Sequence, residues 1–361
     1  ALEKPGKIYF YNDYIFINEV NKGIHIIDNS SPSNPQNISF ISIPANRDMA
    51  IQGNNLYVDN GADLVTLDIS NPLDVQLKDR QAKAFKELYE YPQGYLAYYE
   101  EEEITEIVEC TSSNFGRFER FDSGGIALNS SAGSSTSTSS GIGGSMARFT
   151  ITQGHLYAVN DYAMKVFDLV NPQMPNAVSD ISLGWGIETI FPYKDKLFIG
   201  SNSGMYIFDN STPSSPTQLS VFQHARACDP VYVKDNYAYV TLRSGTWCEG
   251  FTNQLDVIDI TNLTNPVLEK TFNMDNPHGL SIKGDNLYLC EGEFGLKTFD
   301  ISDPMKLNRK KIDHIQDLHA YDAINIPDSD IIMVIGNDGL YQYNASNPSN
   351  LKEISKIEVA K

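Results

Sequence analysis

Short apolar runs bounded by turn residues recur along the whole chain. Two typical runs read Gly53-Asn54-Asn55-Leu56-Tyr57-Val58 and Gly284-Asp285-Asn286-Leu287-Tyr288-Leu289. Gly, Asn and Asp supply the positive φ angles of tight hairpins, whereas Tyr, Val and Leu in such runs suit half-buried strands. No segment carries an apolar 3.6-residue period long enough for a substantial helix. The pattern predicts an all-β protein.

A second pattern follows each hairpin: an apolar strand that ends in Asp, then a small or hydroxyl residue, Asn or Asp, and Pro. One copy reads Leu67-Asp68-Ile69-Ser70-Asn71-Pro72 and another reads Phe299-Asp300-Ile301-Ser302-Asp303-Pro304. Including a degenerate copy at Ile104 to Glu109, the marks fall at Asp28, Asp68, Glu109, Asp168, Asp209, Asp259, Asp300 and Asn344. Five of the seven intervals lie close to forty residues, which is the size of one four-stranded propeller blade.

These repeats predict a single all-β domain over residues 1–361, an eight-bladed β-propeller of four-stranded antiparallel blades. Seven blades remain the alternative, if residues 104–109 do not form a strand. The chain opens with three strands and ends with a fourth, so we expect residues 354–359 to complete the first blade and close the ring. Two insertions interrupt the repeats, a low-complexity loop at about 123–146 and a shorter one at about 243–254. The first is either flexible or an ordered binding element.

The repeated aspartates have two interpretations. They could form a ring of acids or cation ligands, or each could stabilise its own turn by accepting backbone hydrogen bonds, while Pro fixes the exit from the strand. A functional ligand is rarely repeated in every blade, so we favour the second interpretation.

The recurring Asp-x-Ser/Thr-Asn/Asp-Pro motif and its preceding hairpin resemble the LVIVD-repeat family of bacterial β-propellers. The resemblance covers nearly the whole chain and is closest at Asp68, Asp259 and Asp300. It implies an exported protein of the bacterial cell surface or periplasm, of the kind found in Bacteroidetes, with a lipid anchor on a removed N-terminal segment as one arrangement. It implies no catalytic residue set.

Charge narrows the range of partners. The chain has 27 Lys plus Arg against 46 Asp plus Glu, a formal net charge of -19, so it would repel nucleic acid. No run approaches the ~20 apolar residues of a membrane-spanning helix. Glu100 to Glu103 are best explained as a solvated loop. We expect a monomer without metal or cofactor.

Polar residues at the start of the second predicted strand of each repeat stand out, because these positions meet at one mouth of a propeller channel. Either they line a wet channel and pair with each other, or they form a pocket for an anionic or sugar-like ligand. The indole of Trp185 or Trp247 could stack on a sugar face. The ligand-binding candidates are Arg47, Arg148, Trp185, Arg226, Trp247, His278 and His319.

Cysteine positions and missing motifs complete the predictions. Cys228 and Cys248 are expected to be neighbours, and a disulfide between them would indicate an oxidising compartment.

The chain lacks recognisable nucleophile and phosphate-loop motifs. We therefore expect a non-catalytic module that binds a glycan, peptide or protein partner at the mouth. The alternative is a hydrolase that uses scattered carboxylates, with Asp48, Glu188, Asp229 and Asp322 as weak candidates. A purely structural repeat protein is the third possibility, if the insertions cap the mouth.

Overall fold

The computed structural model describes residues 1–85, 142–223, 230–244 and 252–360, and the backbone of a two-stranded hairpin, β9 (Glu90–Tyr91) and β10 (Gly94–Tyr95). The described residues form seven four-stranded antiparallel blades whose inner strands contact one another in turn around a ring. Within the described part of the chain, no helix has the length and apolarity to cross a membrane.

Each blade runs from its inner to its outer strand in chain order. Blade 1 contains β1 (Pro5–Tyr11), β2 (Tyr14–Glu19), β3 (Gly23–Asp28) and β4 (Gln36–Ser42). Blade 2 contains β5 (Met49–Gln52), β6 (Asn55–Asn60), β7 (Asp63–Asp68) and β8 (Gln76–Gln81). A short strand, β11 (Ile142–Gly143), pairs with β1 and lies inside blade 1. Blade 3 contains β12 (Phe149–Thr152), β13 (His155–Val159), β14 (Ala163–Asp168) and β15 (Asn176–Ser182). Blade 4 contains β16 (Ile187–Tyr193), β17 (Lys196–Ser201), β18 (Gly204–Asp209) and β19 (Thr217–Gln223).

The remaining three blades follow the same order. Blade 5 contains β20 (Val231–Lys234), β21 (Tyr237–Leu242), β22 (Gln254–Asp259) and β23 (Val267–Asn273). Blade 6 contains β24 (Leu280–Lys283), β25 (Asn286–Cys290), β26 (Leu296–Asp300) and β27 (Lys311–Ile315). Blade 7 contains β28 (Ala320–Asn325), β29 (Ile331–Gly336), β30 (Gly339–Asn344) and β31 (Lys352–Glu358). A short 3-10 helix, Pro304–Arg309, joins the third and fourth strands of blade 6.

The prediction of eight blades is wrong, and the alternative of seven is correct. The degenerate copy at 104–109 lies outside the described residues, but blades 2 and 3 contact each other directly. Their inner strands touch, and the Tyr57 hydroxyl in blade 2 donates a 2.7 Å hydrogen bond to the Pro172 carbonyl in blade 3. One buried apolar cluster also spans both blades. No blade fits between them, because that seam is already closed.

The predicted grouping of strands is also wrong by one strand. Each sheet begins with the second predicted strand of the repeat, not with the first. The first blade is therefore complete at β4 and needs no strand from the end of the chain. The C-terminal strand β31 is instead the outer strand of blade 7 and pairs with β30. Closure comes from a parallel bridge between Leu2 and Val359 and from paired side-chain amides, with Asn29 Nδ2 donating to Gln342 Oε1 at 3.0 Å.

The turn-stabilising interpretation of the repeated aspartates is confirmed. In all seven blades a side-chain Oδ1 at the end of the third strand accepts the backbone N–H two residues later, at 2.7–3.0 Å. The residues that accept this bond are Asp28, Asp68, Asp168, Asp209, Asp259, Asp300 and, in blade 7, Asn344. Each bond closes within its own turn, so these turns form a regular face of the ring, called here the motif face.

Large side chains from the second strand of six blades pack between neighbouring sheets. The equivalent residues are Phe16, Tyr57, Tyr157, Phe198, Tyr239 and Tyr288, and each is at most 2% exposed. Such rings bury a large area per residue, which makes them a main source of stability for the contacts between blades. The apolar runs of the sequence are thus the seams between blades, and they leave the polar residues for the two faces.

Candidate functional site

The face opposite the motif turns contains the candidate site, because the starts of the inner strands and the hairpins after the second strands converge there. Two cavities of about 420 and 190 Å³ open at this face and share four lining residues, Lys7, Met146, Arg243 and His278. We treat them as one depression, the mouth cavity. Its larger part is also lined by Arg47, Tyr321 and Asp322, and its smaller part by Arg148, Glu188 and Pro230.

A segment at the end of the long insertion fills the channel below this cavity. Residues 142–147, called here the plug, add β11 to the inner edge of β1, with Ile142 opposite Phe10. Ser145 is buried, donates through Oγ to Asp322 Oδ1 at 3.1 Å and accepts the backbone N–H of Leu280 at 2.8 Å. The described end of the low-complexity tract is therefore an ordered part of the channel.

Gly144 allows this close approach. A Cβ at this position would lie 1.9 Å from Asp322 Oδ2 and 2.6 Å from Asp322 Cγ, so a larger residue would displace the plug or the carboxyl group. The plug and Asp322 therefore fit together only with a residue that lacks a side chain.

Asp322 is 2% exposed, and both of its oxygens face the plug or its own strand. Oδ1 accepts the N–H of Ala323 at 2.9 Å as well as the Ser145 hydroxyl, and Oδ2 accepts the N–H of Met146 at 3.4 Å. Burial raises the pKa of Asp322 to about 6, although the positive charge of Lys7 opposes the shift. This carboxyl group is used to hold the plug.

Asp48 has a similar position in blade 2 and is also 2% exposed. Its carboxylate accepts the N–H of Met49 at 2.7 Å and of Phe149 at 3.2 Å, and it also accepts the N–H of Arg148. Burial raises its pKa, with Lys7 as the main opposing charge. Asp48 thus links the inner strands of blades 2 and 3.

Lys7 lies between these two acids and was not among the predicted residues. Its Nζ donates to the carbonyl of Met146, which ties β1 to the plug. Burial lowers its pKa, while Asp48 and Asp322 favour its charged form. The position rule that identified Arg47 and His278 would have found Lys7 as well, because Lys7 immediately precedes the apolar run of its inner strand.

Arg148 lines the smaller part of the cavity, but its guanidinium is engaged. Nη2 contacts Asp161 Oδ1 and the Ile187 carbonyl at 2.8 and 3.1 Å, and Nε donates to the Glu188 carbonyl at 3.2 Å. Arg148 therefore acts as a clamp between blades 3 and 4. Glu188 is half-buried beside it and faces the cavity.

Arg243 is the second residue that the prediction missed, although it begins the insertion at 243–254. Its Nη1 lies 3.3 Å from His278 Nε2. Arginine can only donate, so Nε2 accepts this bond from a neutral imidazole. Burial, reinforced by the charges of Arg243 and His319, lowers the pKa of His278 to about 3. Burial also lowers the pKa of Arg243, which leaves a desolvated guanidinium against an uncharged ring.

Aromatic rings extend from this pair toward the rim. The His278 and Tyr321 ring centroids lie 5.2 Å apart, and those of His319 and Tyr321 lie 4.9 Å apart. His319 does not line the mouth cavity; its backbone N–H contacts Asp338 at 3.4 Å. The structure therefore places His278 in the site and His319 behind it.

Arg47 is exposed at the opposite side of the larger cavity. Its backbone N–H donates to Asp59 Oδ1 at 2.8 Å, and the N–H of Asp48 donates to the same atom at 3.0 Å. Burial raises the pKa of Asp59 to about 6. Glu291 holds the start of its own inner strand in the same way, through the N–H groups of Asp275 and Asn276. Acids of these hairpins thus shape the mouth.

Trp185 lies outside the mouth cavity and is 61% exposed. It occupies a turn between Gly184 and Gly186, whose positive φ angles of 95° and 87° suit glycine. Its ring centroid lies 4.7 Å from that of Tyr162. The Gly186 N–H donates to the Asp161 carbonyl at 2.8 Å, so this aromatic pair adjoins the Arg148 clamp.

Several predicted residues lie outside the described part of the chain: Arg226, Asp229, Trp247 and the proposed disulfide partners Cys228 and Cys248. Cys290 is a buried free thiol. Burial raises the pKa of its thiol well above the usual value. Among the described residues, no cluster of three His, Cys, Asp or Glu side chains is suited to hold a metal ion.

The sequence profile of the LVIVD repeat matches residues 6–40, 45–81 and 225–274, which correspond to blades 1, 2 and 5. Together with seven four-stranded blades, these matches define the chain as a β-propeller. Three of its blades carry LVIVD repeats, which confirms the resemblance seen in the sequence. No curated protein matches the sequence.

Solved structures share the fold at low sequence identity. The periplasmic gluconolactonase PpgL of Pseudomonas aeruginosa superposes with a TM-score of 0.63 at 10% identity, covering 98% of this chain and 96% of that one. A putative 6-phosphogluconolactonase from Bacteroides fragilis gives 0.60 at 11% identity, covering 94% and 92%. BamB from Moraxella catarrhalis gives 0.55 at 8% identity, covering 92% and 79%. At these identities the similarity concerns the fold alone.

Proposed function

We propose that this protein is a non-catalytic binding module that presents the mouth cavity to a glycan, peptide or protein partner. The observation that supports this most directly is the plugged channel. The plug and the inner strands occupy the carboxyl groups of Asp48 and Asp322, and what remains is a concave surface lined by Arg47, Arg243 and Tyr321. A cavity of about 420 Å³ lies within the ~300–1,000 Å³ range of small-molecule sites.

The hydrolase alternative has less support from the same geometry. Glycoside hydrolysis requires two carboxyl groups about 5 to 9.5 Å apart across an open pocket. To act on a substrate, Asp48 and Asp322 would have to give up the backbone and hydroxyl donors that hold the inner strands and the plug. Glu188 lines the smaller part of the cavity, and the other carboxyl group that lines the cavity, that of Asp322, is held by Ser145 of the plug. We therefore do not propose a reaction.

We extend the proposal to location and assembly. The LVIVD repeats favour an exported protein of the bacterial periplasm or cell surface, where an acidic propeller would meet glycans and other proteins. We propose that it acts there as a monomer. Fractionation of the native host and light scattering on the purified chain test these two statements. Recovery in the cytoplasmic fraction contradicts the first statement, and a dimeric mass contradicts the second.

Charge reversal at the mouth tests the binding proposal. Glycan and peptide arrays are probed with the full chain, with the double variant Arg47→Glu/Arg243→Glu, and with the control Arg309→Glu, an exposed residue at the end of the 3-10 helix on the motif face. Thermal unfolding verifies that each variant folds. We expect the double variant to lose bound partners that the control retains. Equal binding by all three proteins, or no binding by the unmodified chain, overturns the proposal.

A further inference from the structure

The mouth cavity has the opposite charge balance to the rest of the chain. The whole protein carries 46 acidic against 27 basic side chains. The cavity, in contrast, is lined by four basic side chains, Lys7, Arg47, Arg148 and Arg243, and by two acidic ones, Glu188 and Asp322. A depression with four cations against two acids creates a local attraction for anions within an otherwise acidic protein.

Two of the four cations are held closely by acids, and a third, the exposed Arg47, acts on the buried carboxyl group of Asp59, so the attraction comes mainly from Arg243. Lys7 faces Asp48 and Asp322, and Arg148 contacts Asp161 at 2.8 Å. Arg243 instead donates to the neutral imidazole of His278, and Arg47 is exposed across the larger part of the cavity. Within the described residues, the acid that acts most on Arg243 is Glu188, which lines the smaller part of the cavity.

A desolvated guanidinium beside a neutral ring is poorly compensated, and a carboxylate would correct this. Removing charge from water is unfavourable unless a partner of opposite charge replaces the lost hydration. The planar guanidinium fork also matches the two oxygens of a carboxylate in bidentate geometry. The ligand chemistry that best suits Arg243 is therefore an organic acid.

The neighbouring aromatic pair indicates what kind of body carries that acid. Trp185 is 61% exposed, contacts the Tyr162 ring in a tilted arrangement and adjoins the Arg148 clamp through the backbone of Asp161. An exposed large ring beside a polar cavity provides an apolar surface with polar surroundings, which suits the C–H face of a sugar. The rim and the cavity together thus offer a stacking surface and a carboxylate receptor.

We infer that the mouth cavity binds an acidic sugar of the hexuronate class, with its carboxylate on Arg243 and Arg47 and the adjoining saccharide directed toward Trp185 and Tyr162. This inference rests on the proposed binding function and narrows it to one ligand class. A peptide with a free C-terminal carboxylate offers the same anion without the sugar body, and it serves as a competing outcome in the test.

Ligand-observed NMR and calorimetry on the full chain test the inference with two matched probes. Digalacturonate carries the carboxylates, and its methyl ester has the same sugar body without charge. We expect the acid to bind and the ester to bind at least about tenfold more weakly, because the ester lacks the charged group that Arg243 holds. In Arg243→Gln this difference in affinity should disappear. Arg243→Lys retains the charge without the fork and should recover only part of the affinity.

Two further variants separate the roles. Trp185→Ala should weaken the acid and the ester equally, by about threefold, since only the stacking contact is removed. Arg309→Gln on the motif face serves as the control and should change neither affinity. Thermal unfolding of Arg243→Gln and Arg243→Lys shows whether each is folded, so that lost binding is attributed to the site.

The outcomes distinguish this inference from the binding proposal beneath it. Equal affinity for acid and ester, or an unchanged preference in both Arg243 variants, overturns the uronate inference. If Arg47→Glu/Arg243→Glu loses an array partner while digalacturonate does not bind, the mouth is a binding site for another ligand class. Binding of free-carboxylate peptides without digalacturonate has the same meaning. If no array partner and no probe binds, both statements fail.

Discussion

The two faces of the ring contain similar polar residues but use them differently. On the motif face, each repeated aspartate accepts a hydrogen bond from the backbone two residues ahead, as Asp68 does from Ser70 at 2.9 Å. On the mouth face, two acids contact residues outside their own blade: Asp48 in blade 2 accepts the N–H of Phe149 in blade 3, and Asp322 in blade 7 accepts the hydroxyl of Ser145 in the plug.

This difference separates repeated chemistry from specific chemistry. A residue that repeats in every blade stabilises the blade that contains it, and its partner lies nearby in sequence. Asp48 and Asp322, by contrast, have partners distant in sequence, and their environment exists only once the ring has formed. The mouth face is therefore where this propeller differs from a generic one and where we propose that a ligand is recognised.

The largest expected effect comes from breaking a contact between blades on the mouth face. Asp48→Ala leaves buried N–H groups of β5 and β12 without an acceptor and removes a counter-charge of Lys7. We expect the free energy of unfolding to fall by about 3 kcal/mol, measured by urea denaturation. Asp48→Asn, which keeps an acceptor oxygen, should lose less. Equal losses for Asp48→Ala and Asp68→Ala would erase the distinction between the faces.

The plug gives the second largest effect. In Gly144→Ala the new Cβ would overlap Asp322 Oδ2, so the plug must shift or Asp322 must lose its partners. We expect a loss of about 2 kcal/mol, typical of an overpacked buried position. Gly154→Ala is the control. Its φ of 71° is unfavourable for alanine, yet no atom lies within 4 Å, so its loss should be about 1 kcal/mol. A smaller loss for Gly144→Ala than for Gly154→Ala contradicts the plug geometry.

Titration should also distinguish the faces. Asp59 has a folded pKa of about 6 against an ordinary value of 3.8, so its folded form binds more protons between pH 4 and 6. Its contribution to stability is present below that window and is lost as the pH rises. His278, with its pKa lowered to about 3, acts in the opposite direction below pH 6.5. The two groups act in opposite directions, so the pH dependence of the unmodified protein does not isolate either one.

A variant isolates the contribution of Asp59. Asp59→Asn removes one acidic group, so its stability relative to the unmodified protein should rise by about 1 kcal/mol from pH 5 to pH 7. Urea denaturation at the two pH values measures the difference. Asp68→Asn on the motif face is the control, because hydrogen bonds and Lys78 outweigh burial and lower the pKa of Asp68. A flat difference for Asp59→Asn would show that its carboxyl group is not buried in this way.

Motif turns should give the smallest effects, and these should be additive. Asp68→Ala and Asp259→Ala each remove one hydrogen bond to the backbone, at 2.9 and 2.7 Å, from partly exposed turns. We expect each to reduce the free energy of unfolding by about 0.5–1 kcal/mol. The double variant should show their sum, because blades 2 and 5 share no contacts at these turns. Coupling well above 0.5 kcal/mol would mean that the motif face also communicates between blades.

Most of the fold was predictable, because strand periodicity and turn chemistry are local. The Asp-x-Ser/Thr-Asn/Asp-Pro motif revealed the repeat and its structural role. The number of blades was not predictable, because the copy at 104–109 was counted from its spacing in the sequence, whereas a blade is defined by hydrogen bonds between paired strands. The grouping of strands was wrong for a related reason. A repeat of four strands looks the same in the sequence whichever strand is taken as the first of the blade. Only the observed pairing of β1 with β2, and of β30 with β31, fixes that choice.

The site was only partly predictable. Arg47, Arg148 and His278 were found because each precedes an inner strand, and all three line the mouth cavity. Their contacts could not be read from the sequence, so the clamp formed by Arg148 and the engagement of Asp48 and Asp322 appear only in three dimensions. The plug had no pattern that indicated pairing with β1, which lies more than a hundred residues earlier in the chain.

Closure of the ring has a consequence for the order of folding. The hydrogen bonds between Asn29 and Gln342 join residues 313 positions apart, and Leu2 pairs with Val359. Contacts between such distant residues form slowly, because the entropy of closing the intervening chain is lost before the contacts are gained. During synthesis the first blade must therefore wait, with one side uncovered, until the seventh has been made. We expect the seam between blades 7 and 1 to form late in folding, after both blades exist.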